Sequence, residues 1–133
     1  GQTLAPLPTR DAVLPALILF VSSRTPRISA LVEAMPNRFT CSDRLKDFPR
    51  EESREIIELG QTDIARLMLK LHFDEFEIMS VDQTDGLRIL FVGGDVLHLR
   101  PSGNAPELRC YAESDSVEGA RSIVNQCLGY LRK

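Results

Sequence analysis

Four short segments between residues 76 and 113 alternate apolar and polar residues, and this pattern constrains the fold more than any other feature of the sequence. The segments are FEIMSVD (76–82), LRILFV (87–92), VLHLR (96–100) and LRCYAE (108–113). Asp85-Gly86 and Gly93-Gly94-Asp95 separate the first three segments, and such residues favour tight hairpin turns. An alternating strand offers one face to a core and the other to solvent. The pattern therefore predicts a four-stranded, mainly antiparallel sheet.

Helical periodicity surrounds this sheet. Phe48-Pro49 is expected to open a helix that ends at Gly60. Thr62 is expected to cap a further helix, with apolar residues at helical spacing between positions 64 and 71. A last helix is predicted from about residue 117, capped by Ser114 or Asp115. Residues 37–43 form a further strand candidate. The predicted class is α+β, with the helices packed on the leucine-bearing face of the sheet.

The predicted domain boundary lies near Pro36–Asn37. Before it, one helix is expected from Thr9 to about Ser22 and a second from Thr25-Pro26 to the residue before Pro36. Residues 1–36 are interpreted as a helical tail of a preceding domain plus a linker, and residues 37–133 as a self-contained domain. The chain begins without an initiator Met, as a fragment or a processed chain would.

Composition argues against several classes of protein. The net charge is −3, with 16 basic and 19 acidic residues, which gives no general attraction to nucleic acid or to a membrane surface. The acidic balance, without paired exposed aromatic residues on the central strands, argues against an RNA-binding fold. The longest apolar run, residues 12–21, contains Pro15 and has about half the length of a membrane span.

The cysteines and histidines do not form a recognisable metal motif. Cys41, Cys110 and Cys127 are far apart and odd in number, and His72 and His98 are not spaced as metal ligands. Buried, reduced thiols are the expected state of these cysteines, which suits a cytoplasmic protein. The sequence therefore predicts no metal site in this chain.

The connection between the last two strands concentrates hydrogen-bond donors. Arg100 lies at the end of its strand, on the face opposite the leucines, and Ser102, Gly103 and Asn104 follow in the turn. A guanidinium beside a small polar turn suits a phosphate or a carboxylate. The alternative is an ordinary hairpin loop, because the same residues are common turn formers. His98 shares the strand face of Arg100, and either a partly solvated or a catalytic role is open to it.

Residues 85–114 resemble the C-terminal domain of the α-D-phosphohexomutase superfamily, whose phosphate loop has the approximate form R-x-S-G-T-E-P followed by L-R-x-Y-x-E. Further resemblance lies at FTCSDRLKDFP (39–49), at the Asp85-Gly86-x-Arg88 turn and at LPTRDAVLP (7–15), near the end of the preceding domain in phosphomannomutases. The loop departs at Asn104, where the family has Thr, and at Ala105, where it has Glu. The loop residues that match are Arg100, Ser102, Gly103, Pro106, Leu108, Arg109, Tyr111 and Glu113.

This resemblance implies a TBP-like C-terminal domain of a phosphomannomutase or phosphoglucomutase, cytoplasmic isomerases that move a phosphoryl group between the 1- and 6-positions of a hexose phosphate. It implies that Arg100, Ser102, Gly103 and Asn104 bind the substrate phosphate. The phosphoserine and the Mg²⁺ ligands of such enzymes lie in other domains, and the sequence has no D-x-D-x-D run. The expected partners are a hexose phosphate or bisphosphate and the remaining domains of the parent enzyme, without nucleic acid or membrane. The chain alone is expected to be inactive.

A different function remains open at this stage. The same loop would serve a stand-alone phospholigand-binding or regulatory module that is not part of a mutase. Addition of the rest of the enzyme separates the two hypotheses, because only a mutase fragment should restore mutase activity.

Overall fold

The structure is a computed structural model that describes residues 13–22 and 27–132. The chain divides into two compact units, Gly1–Pro36 and Asn37–Lys133. The predicted helix start at Thr9 and the predicted start at Thr25-Pro26 lie outside the described residues.

The first unit contains two helices. Helix α1 spans Val13–Ser22 and helix α2 spans Ile28–Glu33. Pro15 lies in the first turn of α1, where a backbone N–H has no partner within the helix, so the helix tolerates it. Large apolar side chains of α1 are exposed, among them Leu17, Phe20 and Val21. Across the described helices of both units, none combines the length and the apolar character that a membrane crossing requires.

The second unit is built on a five-stranded antiparallel sheet. Its strands are β1 (Phe39–Leu45), β2 (Ile78–Asp82), β3 (Leu87–Phe91), β4 (Val96–Pro101) and β5 (Leu108–Ser114). The spatial order is β1-β5-β4-β3-β2, so the four predicted strands form a meander and β1 is added beside β5.

The predicted number of four strands was wrong by one. Strand β1 pairs with β5 along its whole length, from Phe39 opposite Ser114 to Leu45 opposite Leu108. In β1 only Leu45 is buried, and the sequence of this segment alternates only weakly between apolar and polar residues. Its partner lies about seventy residues further along the chain, and local sequence carries no signal for such a pairing.

Helices cover one face of this sheet, and the α+β class is confirmed. Helix α3 (Arg50–Thr62) packs against β3 and β4, and helix α5 (Val117–Leu131) packs against β1 and β5. Helix α4 (Ile64–Lys70) packs against α3. Alternate strand residues such as Ile89, Leu99 and Cys110 are completely buried beneath them. We call this the core face and the opposite side the open face.

The helix caps differ from the predicted ones by one or two residues. Asp63, and not Thr62, caps α4 by accepting a hydrogen bond from the backbone N–H of Arg66 at 3.1 Å. Ser116 caps α5 by accepting from the backbone N–H of Gly119, also at 3.1 Å. Ser114, one of the predicted caps, is a buried residue of β5. Several capping residues in succession compete for one helix start, and the strand pairing decides among them.

Candidate phosphate site

Strand register brings three arginines together on the open face. Arg44 of β1 lies opposite Arg109 of β5, and Arg109 lies opposite Arg100 of β4. Alternation places all three side chains away from the buried leucines. Like charges directly opposite each other destabilise a sheet unless they are compensated. We refer to Arg44, Arg109 and Arg100 as the arginine row.

Two carboxylates partly neutralise the arginine row. Glu107 Oε2 lies 3.5 Å from Arg44 Nη1 and 3.9 Å from Arg109 Nε. Asp85 Oδ1 lies 2.9 Å from Arg100 Nε. Three guanidinium groups and two carboxylates leave a surplus of one positive charge. The arginine side chains remain 37–47% exposed, so an anion from solvent can reach them.

The loop between β4 and β5 is closed by one backbone hydrogen bond and joined by another to the segment that follows β1. The backbone N–H of Ser102 donates to the carbonyl of Glu107 at 2.9 Å, and the carbonyl of Pro106 accepts from the N–H of Phe48 at 2.8 Å. Ser102 is buried, and its hydroxyl accepts a hydrogen bond from Arg109 Nη2 at 3.4 Å. The loop therefore presents a preset hydroxyl beside the arginine row.

Gly103 and Asn104 occupy the exposed tip of this loop. A side chain at Gly103 would meet nothing within 4 Å, so packing within the chain does not require glycine there. Among the described residues, no hydrogen bond engages the side chain of Asn104. Both positions are open to a ligand, and their assignment to the phosphate site stays a prediction.

The open face carries two residues that sequence reasoning did not place in the site. Arg109 was named only as a match to the family motif, and Arg44 was not singled out. A signal for Arg109 was available, because Arg100 and Arg109 are symmetric about the loop and a hairpin would pair them. With Ser42, Asp43 and Tyr111, these two arginines line a shallow pocket of about 430 Å³.

His98 has a structural role in this geometry. Its Nε2 lies 2.6 Å from the carbonyl oxygen of Asp85, and its ring packs at a tilt against Tyr111 with centroids 5.5 Å apart. A carbonyl oxygen can only accept, so Nε2 carries the proton. The histidine thereby ties the turn before β3 to β4.

The described residues hold no metal centre of their own. Within 13–22 and 27–132, no three or more His, Cys, Asp or Glu side chains are grouped closely enough to hold a metal ion. Cys41, Cys110 and Cys127 are free thiols. A hydrogen bond with Cys110, together with burial, raises the pKa of Cys127 well above its usual value, so this residue is an uncharged core thiol.

Comparison with known proteins gives the family of this chain. Residues 44–128 match the family described as "Phosphoglucomutase/phosphomannomutase, C-terminal domain", and the chain belongs to it. The chain is 46% identical to a phosphomannomutase of Salmonella muenchen over 131 residues, which are 98% of this chain and 27% of that protein.

Two further relatives extend the comparison. A phosphomannomutase of Sinorhizobium fredii is 36% identical over 98% of this chain and 28% of its own length. A probable phosphoglucosamine mutase of Methanothermobacter thermautotrophicus is 32% identical over 91% of this chain and 25% of its own length. The chain thus spans about a quarter of the length of the relatives it matches.

Proposed function

We propose that this domain binds the phosphate group of a hexose phosphate at the Arg100 end of the arginine row, as the last domain of a phosphomannomutase or phosphoglucomutase. One observation carries the proposal: Arg109 donates to Ser102 while it lies opposite Arg100 in the sheet. Arg100, Arg109 and the Ser102 hydroxyl thus lie at the exposed end of one hairpin, beside the loop tip formed by Gly103 and Asn104.

These groups suit a phosphate dianion. Guanidinium groups give paired, charge-assisted hydrogen bonds to phosphate oxygens, and a surplus positive charge favours an anion. The Ser102 hydroxyl accepts from Arg109 and keeps its own proton to donate to a phosphate oxygen. The hydrogen-bond partner of this hydroxyl is the Arg109 cation and not a base, which favours Ser102 as a phosphate ligand over Ser102 as a nucleophile. The domain would contribute positioning and charge neutralisation to the reaction.

The remaining chemistry belongs, in this proposal, to other domains of a cytoplasmic parent enzyme. A phosphoserine there would exchange the phosphoryl group between the 1- and 6-positions of the hexose, and a bound Mg²⁺ would act as a Lewis acid. The described residues of this chain supply neither element, so the isolated chain should not turn over mannose 1-phosphate or glucose 1-phosphate. Neither nucleic acid nor a membrane takes part.

Residues 1–36 are proposed to be the helical end of the preceding domain plus the linker. The family match lies within the second unit, whereas the relatives align with nearly the whole chain. The apolar side chains exposed on α1 fit a surface that another domain would cover. Deletion of residues 1–36 should leave residues 37–133 folded by circular dichroism and more monomeric by sedimentation. Loss of the fold on deletion would show that the helices are integral.

A titration of the chain with mannose 6-phosphate tests the binding proposal. We expect amide shifts confined to residues 100–109 and a Kd of about 1 mM or weaker, because few contacts must offset the cost of association. Arg100→Ala should abolish the shifts. Arg54→Ala, an exposed arginine on α3, is the matched control and should not change them. Equal binding by the Arg100→Ala variant, or equal shifts with unphosphorylated mannose, would overturn the proposal.

A complementation assay distinguishes a mutase domain from a stand-alone phospholigand-binding module. The chain is added to a relative of this family truncated before its last domain, and turnover of mannose 1-phosphate is measured. Restored turnover supports the mutase proposal. Phosphosugar binding without restored turnover, in an assay that the relative's own last domain does restore, favours the stand-alone module.

A further inference from the structure

We propose that Asp85 is a positioning residue of the phosphate site: it holds Arg100 by the Nε atom, so that both terminal nitrogens of the guanidinium stay available to a phosphate. This inference rests on the proposed function of Arg100. Asp85 Oδ1 lies 2.9 Å from Arg100 Nε, a charge-assisted hydrogen bond of good length. Among the described residues, no other side chain forms a hydrogen bond or an ion pair with the Arg100 guanidinium.

The turn that carries Asp85 is itself anchored to the strand that carries Arg100. The carbonyl of Asp85 accepts from Nε2 of His98, two residues before Arg100, at 2.6 Å. The next residue, Gly86, has φ +86°, and a side chain there would collide with the carbonyl of Leu99 and come within 3.2 Å of Arg100 Cα. The turn therefore lies directly on the backbone of Leu99 and Arg100, which gives the Asp85 carboxylate a defined place.

Stability does not explain this pair. The Arg100 side chain is 45% exposed and that of Asp85 is 61% exposed, and exposed ion pairs contribute little to folding. A long arginine side chain, however, loses rotamer freedom when it binds a ligand. An acceptor that already holds Nε removes part of that loss before the phosphate arrives.

The negative charge of Asp85 opposes the binding of a phosphate at Arg100. A carboxylate beside the site repels a phosphate, so a simple counter-ion would weaken binding and its removal would strengthen binding. Removal of the side chain of a positioning residue instead weakens phosphate binding. An asparagine keeps the Oδ1 acceptor without the charge and so separates the two roles.

The experiment measures Arg100 and phosphate binding in the same samples. The chain is labelled with ¹⁵N-arginine, and the motion of Arg100 Nε–Hε is followed by heteronuclear NOE during a titration with inorganic phosphate. We expect Asp85→Ala to make this group mobile and to weaken binding by about 3- to 10-fold. Asp85→Asn should keep the group ordered and bind at least as well as the unmodified chain.

Asp82→Asn is the matched control for charge. It removes one carboxylate at the end of β2, next to the same turn, where Asp82 accepts from the Thr84 N–H at 2.8 Å and forms no hydrogen bond or ion pair with Arg100. We expect it to leave the order of Arg100 unchanged. Thermal melts followed by circular dichroism should show that all the variants are folded.

The outcomes separate the two proposals. The role of Asp85 is refuted if Asp85→Ala binds phosphate as tightly as the unmodified chain or more tightly, or if Arg100 Nε–Hε stays ordered without it. If Arg100→Ala leaves phosphate binding unchanged, the proposed phosphate site itself is overturned, and the role of Asp85 with it.

Discussion

The two faces of the sheet alternate along the same strands and yet depend on different forces. On β4 and β5, Leu99 and Cys110 are completely buried, whereas Arg100 and Arg109 are 45% and 37% exposed. The first pair is held by burial and close packing, which are strong and insensitive to salt. The second is held by exposed ion pairs, which are weak and screened by salt. One step along a strand therefore separates residues that stabilise the fold from residues of the proposed phosphate site, and substitutions at neighbouring positions test this.

The largest expected effect on stability is that of Leu99→Ala. Leu99 lies in the core cluster opposite Leu87 and Cys110, so its truncation leaves a cavity beneath α3. We expect a loss of about 2–5 kcal/mol in the free energy of unfolding, measured by urea denaturation of the chain. The neighbouring Arg100→Ala should change it by less than about 0.5 kcal/mol. Similar losses for both variants would show that the two faces are not separable.

The largest expected effect on activity is that of Arg100→Ala in the parent mutase proposed above. Removal of a paired charge contact to phosphate should lower kcat/KM by about 10²–10³-fold, which corresponds to about 3–4 kcal/mol. Steady-state kinetics with mannose 1-phosphate measures the effect, and Arg54→Ala serves as the control. Normal turnover by the Arg100→Ala enzyme would place the phosphate elsewhere.

Arg109→Ala should have a smaller effect than Arg100→Ala. Arg109 donates a hydrogen bond to Ser102 in the loop and also forms an ion pair with Glu107. We therefore expect Arg109→Ala to lower kcat/KM by about 10- to 100-fold. Ser102→Ala should lower it by about tenfold, because one hydrogen bond of an uncharged donor is lost. If Arg109→Ala were worse than Arg100→Ala, the centre of the phosphate site would lie between Arg44 and Arg109.

The smallest expected effect is that of Gly103→Ala on stability. Nothing lies within 4 Å of the added methyl group, so the free energy of unfolding should change by less than about 0.5 kcal/mol. Gly86→Ala is the contrasting variant. Because position 86 has a positive φ and lies against the Leu99 carbonyl, this substitution should lower the free energy of unfolding by more than about 1 kcal/mol. A loss of phosphate affinity in Gly103→Ala without a loss of stability would indicate close approach of the ligand to the loop backbone.

Part of the site was predictable because its signals are local. Alternation on β4 placed Arg100 on the face opposite the leucines, and the polar turn after it marked a candidate anion site. The contribution of Arg44 was not predictable, because it requires β1 to pair with β5 in one register, from Phe39 opposite Ser114 to Leu45 opposite Leu108. A shift of one residue would turn Arg44 to the core face.

By itself, the sequence determined the α+β class, the β2–β5 meander, the apolar face of that meander and the loop that follows Arg100. These features depend on periodicity and on turn chemistry, both of which act over a few residues. The tertiary structure decided the fifth strand, the arginine row and the contact between Asp85 and Arg100. The fifth strand, and with it the place of Arg44 in the arginine row, joins segments that are distant in sequence, and burial of the whole core face sets their relative placement. The contact between Asp85 and Arg100 joins the turn before β3 to the neighbouring strand β4, and it depends on the register in which β3 and β4 pair.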